Sequence, residues 1–278
     1  MHNILQISDI HFNGDYDGQF DVKGHFEQIL NATKDQEFSA VALTGDLADN
    51  GSTDDYVDLL NRIIATYGVE TPLLVIPGNH DNRENLAIAY GRYLRMDHQF
   101  KDGATLESIG GTFTEPGACV VIVHIPDDST GRTYNLVGMD NAHKDLPHAG
   151  LETLRTRKWR NMDRYNYNYL LVHMPLIRPF HRFMNGVAFS IPDYASRTFL
   201  YAADRVLDGC RIYCGHYHCA SVDRLGDFFQ YVAPASQCQL DPFSDTCVPS
   251  GNFPGYSVIS LETARAEFKY ILGDGDAK

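Results

Sequence analysis

Basic residues are scarce in this chain. Its 278 residues carry 23 Lys and Arg against 36 Asp and Glu, a formal net charge of −13. Nucleic-acid polymers are held through counterion release at a basic face, so this balance argues against one as main partner. It also makes a long polyanionic substrate less favoured than a small one. No run of about 18 apolar residues occurs, and a transmembrane helix is excluded with it. Met1 leads directly into the β-prone run Asn3–Ser8, with no basic stretch and no small-residue cleavage site. A cytoplasmic location is therefore expected. Paired-cysteine spacing is absent too: Cys119, Cys210, Cys214, Cys219, Cys238 and Cys247 form no CxxC pair and no zinc-finger pattern. Buried free thiols are the expectation. Cys238 and Cys247 flank one loop and could pair, but a cytoplasmic chain would usually keep them reduced. No internal repeat, low-complexity tract or linker interrupts the sequence, which predicts one domain over residues 1–278.

What is present is an ordinary core former, 44% hydrophobic and 21% charged. Short β-branched runs alternate with longer amphipathic stretches. The runs predict strands at Ile4–Ser8, Ala40–Thr44, Leu73–Ile76, Ala118–His124, Tyr134–Met139, Tyr169–His173, Arg211–Cys214, Phe228–Val232, Tyr256–Leu261 and Glu267–Leu272. The stretches predict helices at Val22–Thr33, Thr53–Tyr67, Arg83–Tyr93, Leu151–Arg160 and Tyr194–Leu207, with Asp21 and Ser52 as N-caps of the first two. A βαβαβ first half followed by a strand-rich remainder suits two packed mixed sheets with helices outside. Two segments stand apart from the core pattern. Ile177–Tyr194 mixes Arg178, His181 and Arg182 with Phe180, Phe183, Met184 and Phe189, and Pro234–Tyr256 is rich in Pro, Gly, Ser and Phe. Either can overhang a cleft as a lid or be a plain surface loop.

Five short motifs follow strand candidates: Asp9-Ile10-His11, Gly45-Asp46-Leu47-Ala48-Asp49, Gly78-Asn79-His80-Asp81, His173, and Gly215-His216-Tyr217-His218. Residues two apart in extended chain point the same way. Asp9 with His11, and His216 with His218, can thus face one cleft at the carboxyl ends of strands, where open α/β folds bind ligands. Glycines 45, 78 and 215 are read as sharp turns at strand ends. Mixed imidazole, carboxylate and amide donors suit iron, manganese or zinc better than calcium or magnesium. Each motif alone is more often a turn, a cap or a surface pair. The ordered set, five motifs each behind a strand, is far more specific.

That order resembles the calcineurin-like metallophosphoesterases, whose pattern is Asp-x-His, Gly-Asp, Gly-Asn-His-Asp/Glu, His, Gly-His-x-His. The resemblance spans residues 9 to 218 and is similar in detail to the branch of cyclic-nucleotide phosphodiesterases and glycerophosphodiesterases. It implies an α/β fold, a four-layer αββα sandwich of two mixed β-sheets with a dinuclear metal site at the strand ends. Carried over by position, Asp9, His11 and His218 would hold a first metal, Asn79, His173 and His216 a second, and Asp46 would bridge them. His80 would contact the phosphate or the leaving oxygen, with Asn79 also near substrate, and Asp49 would orient His80. Asn50 stands where related protein phosphatases have a phosphate-binding arginine, which counts against a phosphoprotein substrate. Met174 stands where many diesterase relatives have a second histidine, which puts the substrate contact made there in doubt.

The expected activity is hydrolysis of a small phosphodiester, a cyclic nucleotide or a glycerophosphodiester, by hydroxide generated on two iron, manganese or zinc ions. Phosphomonoesterase or nucleotide pyrophosphatase chemistry on the same site is the first alternative. A non-catalytic scaffold is disfavoured, because all ligand positions are filled. The relatives suggest a homo-oligomer, most simply a dimer.

Overall fold

The computed structural model describes the chain except for residues 17, 110–112, 116, 143–145, 157–166, 187–189, 208 and 273–278. The apolar runs at the head of the chain form β1 (Asn3–Ile7), β2 (Ala40–Thr44) and β3 (Leu73–Ile76), paired in parallel. Between and after them run α1 (Val22–Thr33), α2 (Thr53–Tyr67) and α3 (Arg83–Leu94). Ser52 caps α2 through a reciprocal box with Asp55, and Asp21 accepts from the Gly24 N–H at the start of α1. Both predicted caps are in place.

The remainder supplies β4 (Thr105–Ile109), β5 (Val120–Asp127), β6 (Arg132–Met139), α4 (His148–Thr156), β7 (Tyr167–Leu171), α5 (Asp193–Leu207) and β8 (Cys210–Cys214). It continues with β9 (Ser221–Leu225), β10 (Phe228–Val232), β11 (Gln239–Leu240), β12 (Pro249–Gly251), β13 (Gly255–Ser260) and β14 (Arg265–Tyr270). One sheet has the order β14-β13-β1-β2-β3 and the other β4-β5-β6-β7-β8-β10-β9, while β11 and β12 form a short ribbon. Both large sheets mix parallel and antiparallel pairs.

Side-chain alternation shows how the layers stack. On β5, Val121, Val123 and Ile125 join the cluster formed by β1, β2, β3 and the first three helices. Their neighbours Val120 and Ile122 turn to the opposite face, against Leu151 and Leu154 of α4 and Phe199 and Leu200 of α5. The second sheet is thus covered by the first sheet on one side and by helices on the other. This is the expected αββα arrangement.

All ten predicted strands occur, with ends shifted by a few residues. The last residues of the predicted helix Leu151–Arg160 lie outside the described residues. Two longer strands escaped prediction, β4 and β9, and each is an edge of the seven-stranded sheet. Edges bury only part of one face, so their sequences (Thr-Leu-Glu-Ser-Ile and Ser-Val-Asp-Arg-Leu) carry no apolar run.

Candidate metal centre

Strands β1, β2 and β3 of the first sheet and β7 and β8 of the second end at one rim, and all five motifs meet there. The two sheets are stitched at this rim. The Gln6 side chain donates to Thr44 Oγ1 (3.1 Å) on the first sheet and to the Cys214 carbonyl (3.2 Å) on the second. The Gly215 N–H donates to the His173 carbonyl at 3.0 Å, and the Asp9 N–H to the Gly45 carbonyl at 3.0 Å.

Asp9, His11, Asp46, His216 and His218 all sit at positive φ, between 50° and 72°. That region is uncommon for residues with a Cβ and costs about 1–3 kcal/mol each. Strain gathered on five polar residues at one rim marks a functional constraint rather than a folding preference. Only one of the three motif glycines behaves as a turn was expected to: Gly45 has φ +90°, whereas Gly78 and Gly215 are not in the left-handed region. They permit close approach instead. A Cβ on Gly78 would collide with the Asp46 amide and carboxylate, and one on Gly215 with Ser8 and the Asp9 carboxylate.

Three histidines turn their Nδ1 atoms outward and fix them. His11 Nδ1 lies 2.7 Å from Asp49 Oδ1, His173 Nδ1 2.9 Å from the Thr44 carbonyl, and His218 Nδ1 3.3 Å from the Cys238 carbonyl. Since those partners only accept, each Nδ1 donates, and each Nε2 is aimed at the centre. There, His218 Nε2 is 3.5 Å from Asp9 Oδ1, and His173 Nε2 is 3.3 Å from Asp46 Oδ2 and 3.1 Å from Asn79 Oδ1. His11 Nε2 is 3.4 Å from His218 Nε2 and 4.0 Å from Asp46 Oδ2. Two inward nitrogens at that separation need a positive charge between them, either a proton or a cation. The residues therefore fit metal ions. Three triads have donor atoms mutually close enough to hold one: Asp9, His11 and His218; Asp46, His173 and His216; and His11, Asp49 and His80, the last through Nδ1 atoms already hydrogen-bonded to Asp49.

The titration of the buried groups follows the same logic. Burial alone would raise the Asp46 carboxyl, but His173, His11 and His80 outweigh it and hold it well below the usual range. Burial likewise opposes charge on His173, yet Asp46 raises it to about 9. Burial dominates at His218 and pushes it well below an ordinary imidazole. His80, with its side chain half exposed, is raised to about 9, chiefly by its 2.9 Å contact with Asp49.

Several supports were not visible as motifs. Asp81 accepts from the Leu47, Ala48 and Gly78 N–H groups and from the Tyr56 hydroxyl, tying the loop after β2 to the loop after β3. Asn141 accepts from the His173 N–H at 3.0 Å and donates to the Met174 carbonyl at 2.7 Å. Met174 itself is buried in the cluster beneath α4 and α5. Tyr16 donates to Asp49 Oδ2. A lone Asn or Tyr in a loop carries no sequence signal for such roles.

A cleft of about 430 Å³ opens over the centre. Phe183 and Met184 line it, as do Gln237, Cys238, Leu240, Cys247 and Pro249, so both unusual segments contribute walls. The charged residues Arg178, Arg182 and His181 do not. Arg178 pairs with Asp193, Arg182 with Asp245, and His181 is buried against Tyr217. Within Ile177–Tyr194, Ile177, Met184 and Ile191 belong to the core beneath α4 and α5, and the Gln230 side chain clamps Leu176 and Ile177. Cys238 and Cys247 are both free thiols.

Residues 2–220 match the calcineurin-like phosphoesterase family. The chain is 28% identical over 242 residues to a "probable cyclic nucleotide phosphodiesterase" of Fibrobacter succinogenes, covering 86% of this chain and 81% of that protein. A shorter stretch of 53 residues is 42% identical to a "probable glycerophosphodiester phosphodiesterase" of Arcobacter nitrofigilis, covering 19% and 18% of the two chains. Among solved structures, a dimetal phosphatase from Danio rerio superposes with a TM-score of 0.57 at 10% identity, over 97% of this chain and 95% of that one. At that identity the likeness is one of fold.

Proposed function

The chain belongs to the calcineurin-like phosphoesterase family, and from that premise we propose that it is a metal-dependent phosphodiesterase of small diesters, cyclic nucleotides or glycerophosphodiesters. The observation that carries this reading is the place of Asp46. Its Oδ2 lies between the inward nitrogens of His173 (3.3 Å) and His11 (4.0 Å), where the two ligand triads adjoin. Asp9, His11 and His218 would hold one ion, Asn79, His173 and His216 the other, and Asp46 both. When bound, iron, manganese or zinc ions there supply Lewis acidity toward phosphate oxygens and an acidified water.

The chain's own residues do the rest. Asp46 Oδ1 accepts the His80 backbone N–H at 2.8 Å, placing that imidazole beside the centre. Asp49 accepts from His80 Nδ1 and raises the imidazole to about 9, so near neutral pH His80 is an imidazolium whose Nε2–H can be given to the departing alkoxide. Phe183, Leu240 and Pro249 exclude water from the alcohol side. Among the described residues no arginine or lysine lines the cleft. That favours a singly charged diester over a dianionic monoester. On this reading residues 1–278 form one cytoplasmic domain, and no helix among the described residues is long and apolar enough to cross a membrane.

The test is a metal-reconstituted assay of bis-aryl against mono-aryl phosphate, followed by cyclic nucleotides and glycerophosphodiesters. The diester is expected to be preferred by at least about tenfold in kcat/KM, roughly 1.4 kcal/mol of transition-state discrimination. Preference for the monoester would overturn the reading in favour of a phosphomonoesterase.

Phe183 gives a sharper probe of substrate choice than removal of its segment, which would open the core. Phe183→Ala is expected to change the ratio of cyclic-nucleotide to glycerophosphodiester turnover by about three- to tenfold, the scale of one aromatic contact. Turnover of a small dialkyl diester should be kept. An unchanged ratio would show that the segment takes no part in selecting the alcohol.

A further inference from the structure

Asp49 has more to do than orient one histidine. Its Oδ1 is shared by two imidazoles, His11 Nδ1 at 2.7 Å and His80 Nδ1 at 2.9 Å. Its backbone is fixed by Asn13, whose side chain accepts the Asp49 N–H at 2.7 Å and donates to its carbonyl at 3.0 Å. A carboxylate so anchored can still rotate about χ2, and rotation would trade one imidazole for the other. The remaining oxygen decides this. Asp49 Oδ2 accepts from the Tyr16 hydroxyl. The Gln237 side chain bears on the Tyr16 oxygen and lines the cleft with it. Gln237 is itself pinned to the rim: its N–H donates to the Asp9 carbonyl at 3.0 Å, and its carbonyl meets His25 Nδ1 at 2.6 Å.

We propose that Tyr16 is a positioning residue that locks the Asp49 carboxylate so that one oxygen serves a metal-ligand histidine and the leaving-group histidine together. The assignment rests on the roles proposed above for His11 and His80. Tyr16 lines the cleft, yet its hydroxyl is committed to Asp49 and acts through it. With Oδ2 released, Asp49 stays with the buried His11, and His80, half exposed, is the partner that is lost.

Tyr16→Phe removes only the hydroxyl. In nitrogen-labelled protein, the low-field Nδ1–H resonance of His80 is expected to vanish or move upfield, while that of His173, held by the Thr44 carbonyl, stays. This readout needs neither a substrate nor bound metal, so it stands even if the phosphodiester reading fails. In the reconstituted enzyme, kcat should fall about 10–100-fold, the range for outer partners of a metal site. KM and metal content should be unchanged, and the deficit should shrink with a nitrophenolate leaving group. In an Asp49→Ala background, Tyr16→Phe should add nothing. A wild-type His80 resonance with wild-type kcat would overturn the proposal. Additive losses in the double variant, or a loss equal for all leaving groups accompanied by loss of metal, would overturn it as well.

Discussion

Asp46→Ala is expected to abolish diester hydrolysis and to lower metal content at both sites. Asp46 is buried, its Oδ2 faces His173 and lies near His11, and its Oδ1 holds the His80 N–H. Without it two cations would adjoin with no shared negative charge between them. Asp46→Asn separates the two roles. The amide oxygen can still accept from His80, so the loop should stay in place while metal is lost. Elemental analysis of the purified variants reads the outcome directly. Two ions per chain in an active Asp46→Ala protein would remove Asp46 from the centre of the mechanism.

His80→Ala should behave differently. The variant is expected to retain its metals and its fold, because the side chain is half exposed and the carboxylate it pairs with, Asp49, keeps His11 and Tyr16. Turnover should fall by about 10²–10⁴-fold, the scale for removal of a general acid or of one transition-state donor. The loss should be smaller for a good leaving group, which departs without a proton. If His80→Ala lost metal as Asp46→Ala does, His80 would have to be counted among the ligands.

How far these residues could be read without coordinates depends on what each asks of its neighbours. Asp9, His11, Asp46, Asn79, His173, His216 and His218 are legible because each follows an apolar strand, and a strand is the most periodic signal in a sequence. The edges β4 and β9 were not legible, for they bury too little to need such a run. Asn141 and Tyr16 were silent for another reason. Their effect comes from hydrogen bonds to residues 32 or 33 positions away, and no local pattern encodes that pairing. Gly78 and Gly215 were legible as positions but misread as to cause. Turn chemistry and steric room leave the same letter in the sequence, and only the distance from Gly78 to Asp46 tells them apart. Arg178 and Arg182 mislead in the opposite sense. Positive charge beside a phosphate site invites a binding role, yet acidic partners lie nearer, at Asp193 and Asp245.

The rim that joins the two sheets has a kinetic consequence. Asp9 accepts from the His216 N–H, 207 residues away in sequence, and the Gln6 side chain reaches the Cys214 carbonyl across 208. Contacts of such separation form late, because loop closure must come first. During synthesis the site cannot exist until His218 has left the ribosome and the second sheet has docked on the first. An early fragment carrying Asp9, His11, Asp46 and Asn79 lacks His218 from one donor set and His173 and His216 from the other, so cations would select the finished rim over every intermediate. Ions that bind only the docked state would raise the barrier to its opening and slow unfolding, with little effect on the rate of folding.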